Sequence, residues 1–246
     1  MFIYGSDTLT VEKLTAIAAG DLKADLDDSS INKVNACRQM VESMAASDNA
    51  VYGINTGFGP LCDTQISPKE TGILQENLLI THAVGVGEPI EKELSKIMMI
   101  SKVHALCQGF SGIRLKVIQR IIYFIENDLL PVVPEKGSVG ASGDLAPLSH
   151  LFLPLIGEGE FWQDDKIVPA KKVLQKHKLE ALELKAKEGL ALINGTQFIL
   201  AHAVLGLKKL DYLADLADLA GAMSLEAYQG SVSPFKEELH LIRPYK

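Results

Sequence analysis

The sequence predicts a mainly α-helical protein with minor β content, leading into a long-helix bundle. Three observations carry that expectation. Apolar residues recur at helical spacing through most of the 246 residues. From Glu188 to Gln229, only Gly189, Gly195, Gly206 and Gly221 interrupt an apolar, alanine-rich pattern, as in one long buried helix of a bundle or two in series. The strand-like stretches are short and lie beside turn residues. The organisation expected is an N-terminal domain over 1–187 and the start of a helical bundle over 188–246.

The elements follow in chain order. FIYG at 2–5 is a short strand. Residues 8–20 form a helix with Thr10 as N-cap and Gly20 as its stop. Ile31, Val34, Met40, Val41 and Met44 mark a helix face within 30–46. VYGINTGFGP at 51–60 breaks the pattern with glycines and a proline and is a loop. Helical patterns resume at 68–83, 90–108 and 111–128, punctuated by GEPI at 87–90 and GFSG at 109–112. PVVPEKGSVGASGD at 131–144 is a long irregular connection, a kind of segment that often carries function. LAPLSHLFLPLIGEG at 145–159 is apolar on nearly every side and predicts a buried helix. EFWQDDKIVPA at 160–170 predicts a hairpin turning at Asp164-Asp165, and 171–184 is charged, exposed and partly helical.

Composition narrows the function. The chain is long enough to bury roughly 70–75% of its unfolded surface. Hydrophobic residues are 47% and charged residues 22% of it, an ordinary globular balance. A net charge of −7 argues against nucleic acid or an anionic membrane as partner. Cys37, Cys62 and Cys107 are an odd set without C-x-x-C spacing, which fits a reduced, cytoplasmic compartment. MFIYGSDTLT lacks the regions of a signal peptide. No apolar run approaches about 18 uncharged residues, so no membrane span is expected.

The stretch GSVGASGDLAPLSH at 137–150 raises the question of chemistry. A phosphate-cradling loop needs Gly-x-Gly-x-x-Gly or a following Gly-Lys-Ser/Thr. The glycines here are spaced G-x-x-G-x-x-G with no lysine after them. A hydrolase elbow is Gly-x-Ser-x-Gly, and neither Ser142 nor Ser111 stands in that pattern. His82, His104, His150, His177, His202 and His240 show no metal-ligand spacing, so no metal is expected. Taken singly, Ser142 reads as a turn residue, His82 as a core histidine and Tyr52 as a strand-edge aromatic.

Together they read differently. GSVGASGDLAPLSH resembles, almost residue for residue, the signature of the aromatic amino acid ammonia-lyases. YGINTGFG at 52–59, LQENLLITHAVGVGEP at 74–89 and EGLALINGTQ at 188–197 are similar to three further motifs of that family, in its order. The resemblance covers essentially the whole chain. It implies a mainly α, fumarase/aspartase-like fold. It also implies a 4-methylideneimidazole-5-one (MIO) electrophile formed from Ala141, Ser142 and Gly143, with no external cofactor. The residue types suit that cyclisation. The Gly143 nitrogen is unhindered and can attack the Ala141 carbonyl, and loss of two waters includes the Ser142 hydroxyl. The resemblance assigns Asp144 to assisting ring formation.

The remaining roles come from the same resemblance. Tyr52 is the base that takes the substrate's β-proton, which requires its pKa to fall from about 10. Asn194 is an amide beside the electrophile that orients substrate. His82 faces the substrate's ring, and His82 with Gln197 is similar to the histidine-deaminating branch. The implied reaction is conversion of L-histidine to trans-urocanate and ammonia, within a homotetramer. The alternatives are a tyrosine or phenylalanine ammonia-lyase, an aminomutase, or a non-catalytic assembly module. Family members are much longer and continue into a helical bundle with further active-site residues. The chain therefore reads as the N-terminal portion of such an enzyme, without a complete site of its own.

Overall fold

The computed structural model describes residues 1–47, 49–51, 53–57, 66–139 and 143–242 (backbone only at 68 and 69). Tyr52, Ala141 and Ser142 lie outside the described residues, as do Cys62 and the end of the 51–60 loop, Phe58, Gly59 and Pro60. The chain divides into two compact units, Met1–Ala203 and Val204–Lys246.

The first unit opens with β1 (Phe2–Ile3), α1 (Val11–Ala19) and β2 (Ala24–Asp25), where β2 pairs in parallel with β1. The expected caps of α1 are present. Thr10 Oγ1 accepts from the Lys13 amide, and Gly20 closes the helix at φ +87°. A left-handed residue frees the chain from the helix while its N–H satisfies a terminal carbonyl. α2 (Asp28–Ala45) buries Val34 and Val41, whereas Met40 and Met44, expected on the same face, are exposed. Methionine's presence at helical spacing is a weak sign of burial, since its flexible thioether tolerates solvent.

α3 (Pro68–His82) leads into β3 (Val86–Pro89), then α4 (Lys92–Leu106) and α5 (Leu115–Glu126). α4 is the core: Ile97, Met98, Met99, Ile100 and Val103 are fully buried, and the helix packs on α1 and α5. The connection expected to be irregular contains β4 (Leu130–Pro131) and β5 (Pro134–Lys136). β5 pairs antiparallel with β3, Val86 facing Lys136 and Pro89 facing Pro134. Prolines hid this strand, because proline removes a ladder donor and belongs only to edges; here the ladder has a single partner.

α6 (Leu145–Phe152) continues as a 3₁₀ turn, Leu153–Ile156, so the predicted buried helix is shorter than its apolar run. The hairpin β6 (Glu160–Gln163) and β7 (Lys166–Pro169) turns at Asp164-Asp165 as expected, and β4 adds to its edge. α7 (Ala170–Lys176) follows.

The long C-terminal pattern is two helices in series, α8 (Glu188–Ile193) and α9 (Gln197–Ala227), broken at 194–196. By length and composition alone this stretch could cross a bilayer, contrary to the expectation from the sequence. The stretch is broken at 194–196, and only its first part is buried in protein, at Leu192, Ile193, Phe198 and Ala201. Beyond Leu205 the expected burial is absent: Leu207, Leu210, Tyr212, Leu213, Leu216, Leu219 and Met223 are exposed on α9, since no other described residue of the second unit covers them. A short helix, α10 (Glu237–His240), lies near the end.

Candidate functional site

Three of the predicted residues meet where α6 begins and α8 gives way to α9. A Cβ placed on Gly143 would lie 3.6 Å from Asn194 Oδ1, 3.6 Å from Leu145 Cδ2 and 3.7 Å from Gly195 N. These are ordinary contacts. Gly143 therefore has room around it, with the Asn194 amide at its side.

Asp144 holds this junction together. It is fully buried and immediately precedes α6. Its backbone N–H donates to Gly195 O at 2.6 Å. Oδ1 accepts from Ser138 Oγ at 2.6 Å, and Oδ2 accepts from the Phe198 and Ile199 amides at 3.0 and 3.1 Å. Those amides belong to the first turn of α9, whose N–H groups have no intrahelical acceptors. A carboxylate there satisfies them and complements the helix dipole. One residue thus ties Ser138, α6 and α9 to a single point.

α8 is fixed from three sides. Glu188, also fully buried, accepts from Arg114 Nε and Nη2 at 2.7 Å each, a paired fork. It accepts as well from the Arg114 and Lys185 amides, with Arg38 Nη1 at 3.9 Å. The Glu188 carboxylate holds the Arg114 guanidinium above its ordinary pKa. Gln75 Oε1 on α3 accepts from the Leu190 amide at 3.1 Å. At the other end of α8, Lys102 Nζ on α4 donates to Asn194 O at 2.7 Å. Lys102 is 2% exposed, and burial pushes its ammonium down to about 7.

Gln197 starts α9 and faces back toward Gly195. Any side chain at 195 would collide with the Gln197 amide oxygen, so glycine is required there unless that amide moves. This oxygen is buried without a hydrogen-bond partner among the described residues.

His82 ends α3. Its Nδ1 donates to Leu78 O at 2.8 Å, since a carbonyl only accepts. In the neutral ring this leaves Nε2 as an acceptor. His82 makes no hydrogen bond to Gly143, Asn194 or Gln197 among the described residues. Three residues further on, the Gly85 amide donates to His150 Nε2 on α6 at 3.0 Å. Burial lowers the pKa of His150, which keeps Nε2 free to accept.

Sequence alone gives Lys102, Ser138, Glu188 and His150 no role. A signal existed for Lys102: it is a lone cation inside IMMISKVHAL at 97–106. Ser138 and His150 offered none, because their partners are distant in sequence or close only through the turn. No group of residues that could hold a metal ion occurs among the described residues.

A family model described as aromatic amino acid lyase matches residues 9–246. A histidine ammonia-lyase of Streptococcus pyogenes serotype M1 is 44% identical over 238 residues, covering 97% of this chain and 46% of its own length. Among solved structures, a histidine ammonia-lyase from Trypanosoma cruzi superposes with a TM-score of 0.91 at 37% identity, covering 100% of this chain and 47% of that one. A tyrosine aminomutase from Streptomyces globisporus superposes with a TM-score of 0.93 at 33% identity, covering 100% and 46%. The chain spans about half the length of these relatives.

Proposed function

The chain belongs to the aromatic amino acid lyase family, and from that premise we propose that it forms the electrophile-bearing part of a histidine ammonia-lyase. The reaction is the non-oxidative deamination of L-histidine to trans-urocanate and ammonia, in a homo-oligomer, on the family's pattern a homotetramer. The observation that carries this reading is the Gly143–Asn194 junction clamped by Asp144.

The residues present fit an MIO group. Gly143 is uncrowded, and the residue after it is anchored by its own amide and carboxylate. Ala141, Ser142 and Gly143 would hold the group, which supplies an electrophilic carbon able to capture the substrate's amine and make it a leaving group. The chain's own residues do the rest. The Asn194 amide beside Gly143 donates to and accepts from substrate. His82 Nε2 accepts from an imidazole N–H. Tyr52, in its motif, is the base for the β-proton. The odd set of three cysteines without C-x-x-C spacing supports a reducing, cytoplasmic setting.

A second reading has its own support: the likeness to a tyrosine aminomutase, since a phenol can also donate to His82 Nε2. Assay of the complete protein on L-histidine and L-tyrosine separates the two. Urocanate with equimolar ammonia is expected. Coumarate or β-tyrosine without urocanate would overturn the substrate assignment. Intact mass tests the electrophile: a deficit of two waters at 141–143, abolished by Ser142→Ala, is expected. An unmodified tripeptide in the folded protein would refute it.

A further inference from the structure

We propose that Lys102 is a positioning residue of the lyase site, fixing the main-chain carbonyl of Asn194 and through it the amide that stands beside Gly143. The proposal rests on the reading of Asn194 as a substrate contact.

Lys102 is costly where it is. Its neighbours Met98, Met99, Ile100 and Val103 are fully buried, and it makes no ion pair among the described residues. A buried ammonium without a carboxylate opposes folding, and its pKa, pushed down to about 7 by burial, expresses the same penalty. An apolar side chain would fill this space more cheaply, so core packing does not account for a lysine.

Its one side-chain hydrogen bond among the described residues does. Lys102 Nζ donates to Asn194 O at 2.7 Å. Asn194 follows the last residue of α8, where carbonyls lack intrahelical donors and the helix end favours a cation. The next carbonyl, Gly195 O, accepts from the Asp144 amide at 2.6 Å. Two consecutive carbonyls of the 194–196 turn are therefore gripped from two different elements, one by α4 and one by the start of α6. With both held, the peptide planes on either side of Gly195 cannot rotate, and the Asn194 side chain is aimed at Gly143. With Lys102 removed, the Asn194 carbonyl is free to turn, while Asp144 still secures α9.

The test uses the complete protein. Lys102→Met keeps the length and apolar stem and removes the donor. The electrophile's two-water mass deficit should persist, and thermal stability should be unchanged or higher. KM should stay within about threefold while kcat falls roughly 10- to 100-fold, as expected when a reacting group is misplaced by about an ångström. A merely structural lysine would lower stability and leave kcat per folded molecule intact. A kcat within about twofold of the parent, or loss of the mass deficit, overturns the proposal. Should the methionine variant not fold, Lys102→Gln, too short to reach Asn194 O, must show the same kcat loss or the proposal fails. Amide exchange in the 194–197 turn gives a readout independent of substrate. It should accelerate in either variant, and unchanged exchange overturns the role of Lys102 even if the parent proves to act on another amino acid.

Discussion

Replacing Asp144 separates its charge from its geometry. The buried carboxylate accepts three hydrogen bonds, from Ser138 Oγ at 2.6 Å and from the Phe198 and Ile199 amides at 3.0 and 3.1 Å. A hydrogen bond to a charged group contributes about 1.5–3 kcal/mol, and a buried donor left alone costs about 1–3 kcal/mol. Asp144→Ala removes all three acceptor contacts and strands two amides at the start of α9. Allowing for non-additivity, the expected loss is about 4–6 kcal/mol. Asp144→Asn keeps one acceptor oxygen for the α9 amides, and Ser138 can reverse its hydroxyl toward the new amide group. Its loss is mainly the charge–dipole part, about 1–2 kcal/mol. At about 2–4 °C per kcal/mol for a domain of this size, thermal unfolding should fall by roughly 2–8 °C for asparagine and 8–24 °C for alanine. Calorimetry measures the first quantity, and amide exchange at Phe198 and Ile199 measures the local one. Equal shifts for the two variants, or an alanine variant within about 2 °C of the parent, would refute the clamp.

Two further outcomes follow from buried charges. Glu188→Gln keeps an oxygen for the neighbouring amides but leaves the partly exposed Arg114 facing a neutral group, and should cost about 1.5–3 kcal/mol in denaturant unfolding, the contribution of a hydrogen bond to a charged group. Lys102 links stability to pH. In the unfolded chain it keeps its proton up to about 10.5, whereas in the fold it loses it at about 7. The unfolded state binds more protons across that window, so this group makes stability rise with pH from about 7 to 10.5 and contributes its full penalty below 7. The stability advantage of Lys102→Met over the parent should accordingly be largest at neutral pH and shrink toward pH 10; a constant difference would contradict the burial of a titrating ammonium.

Much of the fold was legible because local chemistry decided it. Thr10 and Gly20 bound α1, the apolar period marks α4 and α5, and Asp164-Asp165 turns the hairpin. Each of these is a choice made within a few residues. β5 was not legible, since its pairing with β3 joins Val86 to Lys136 across fifty residues. The exposure of α9 beyond Val204 was not legible either. Alanine and leucine at helical spacing report a face that could be buried, not whether the chain supplies its cover.

The site divides along the same line. The sequence by itself determined which residues are expected to carry chemistry, as the family resemblance implies: the Gly143-Asp144 stretch, Asn194, Gln197 and His82, with Tyr52, Ala141 and Ser142 in the same motifs. Their residue types and order are a property of the covalent chain, read through a family likeness. Only the tertiary structure decided how they are held. It made Asp144 a clamp on the start of α9 and put Asn194 beside Gly143. It also placed the donor of a buried lysine, 92 residues earlier, on the Asn194 carbonyl. Hydrogen bonds between distant main-chain groups leave no trace in residue type, because any residue offers the same carbonyl and amide. Such contacts exist only once the helices have packed.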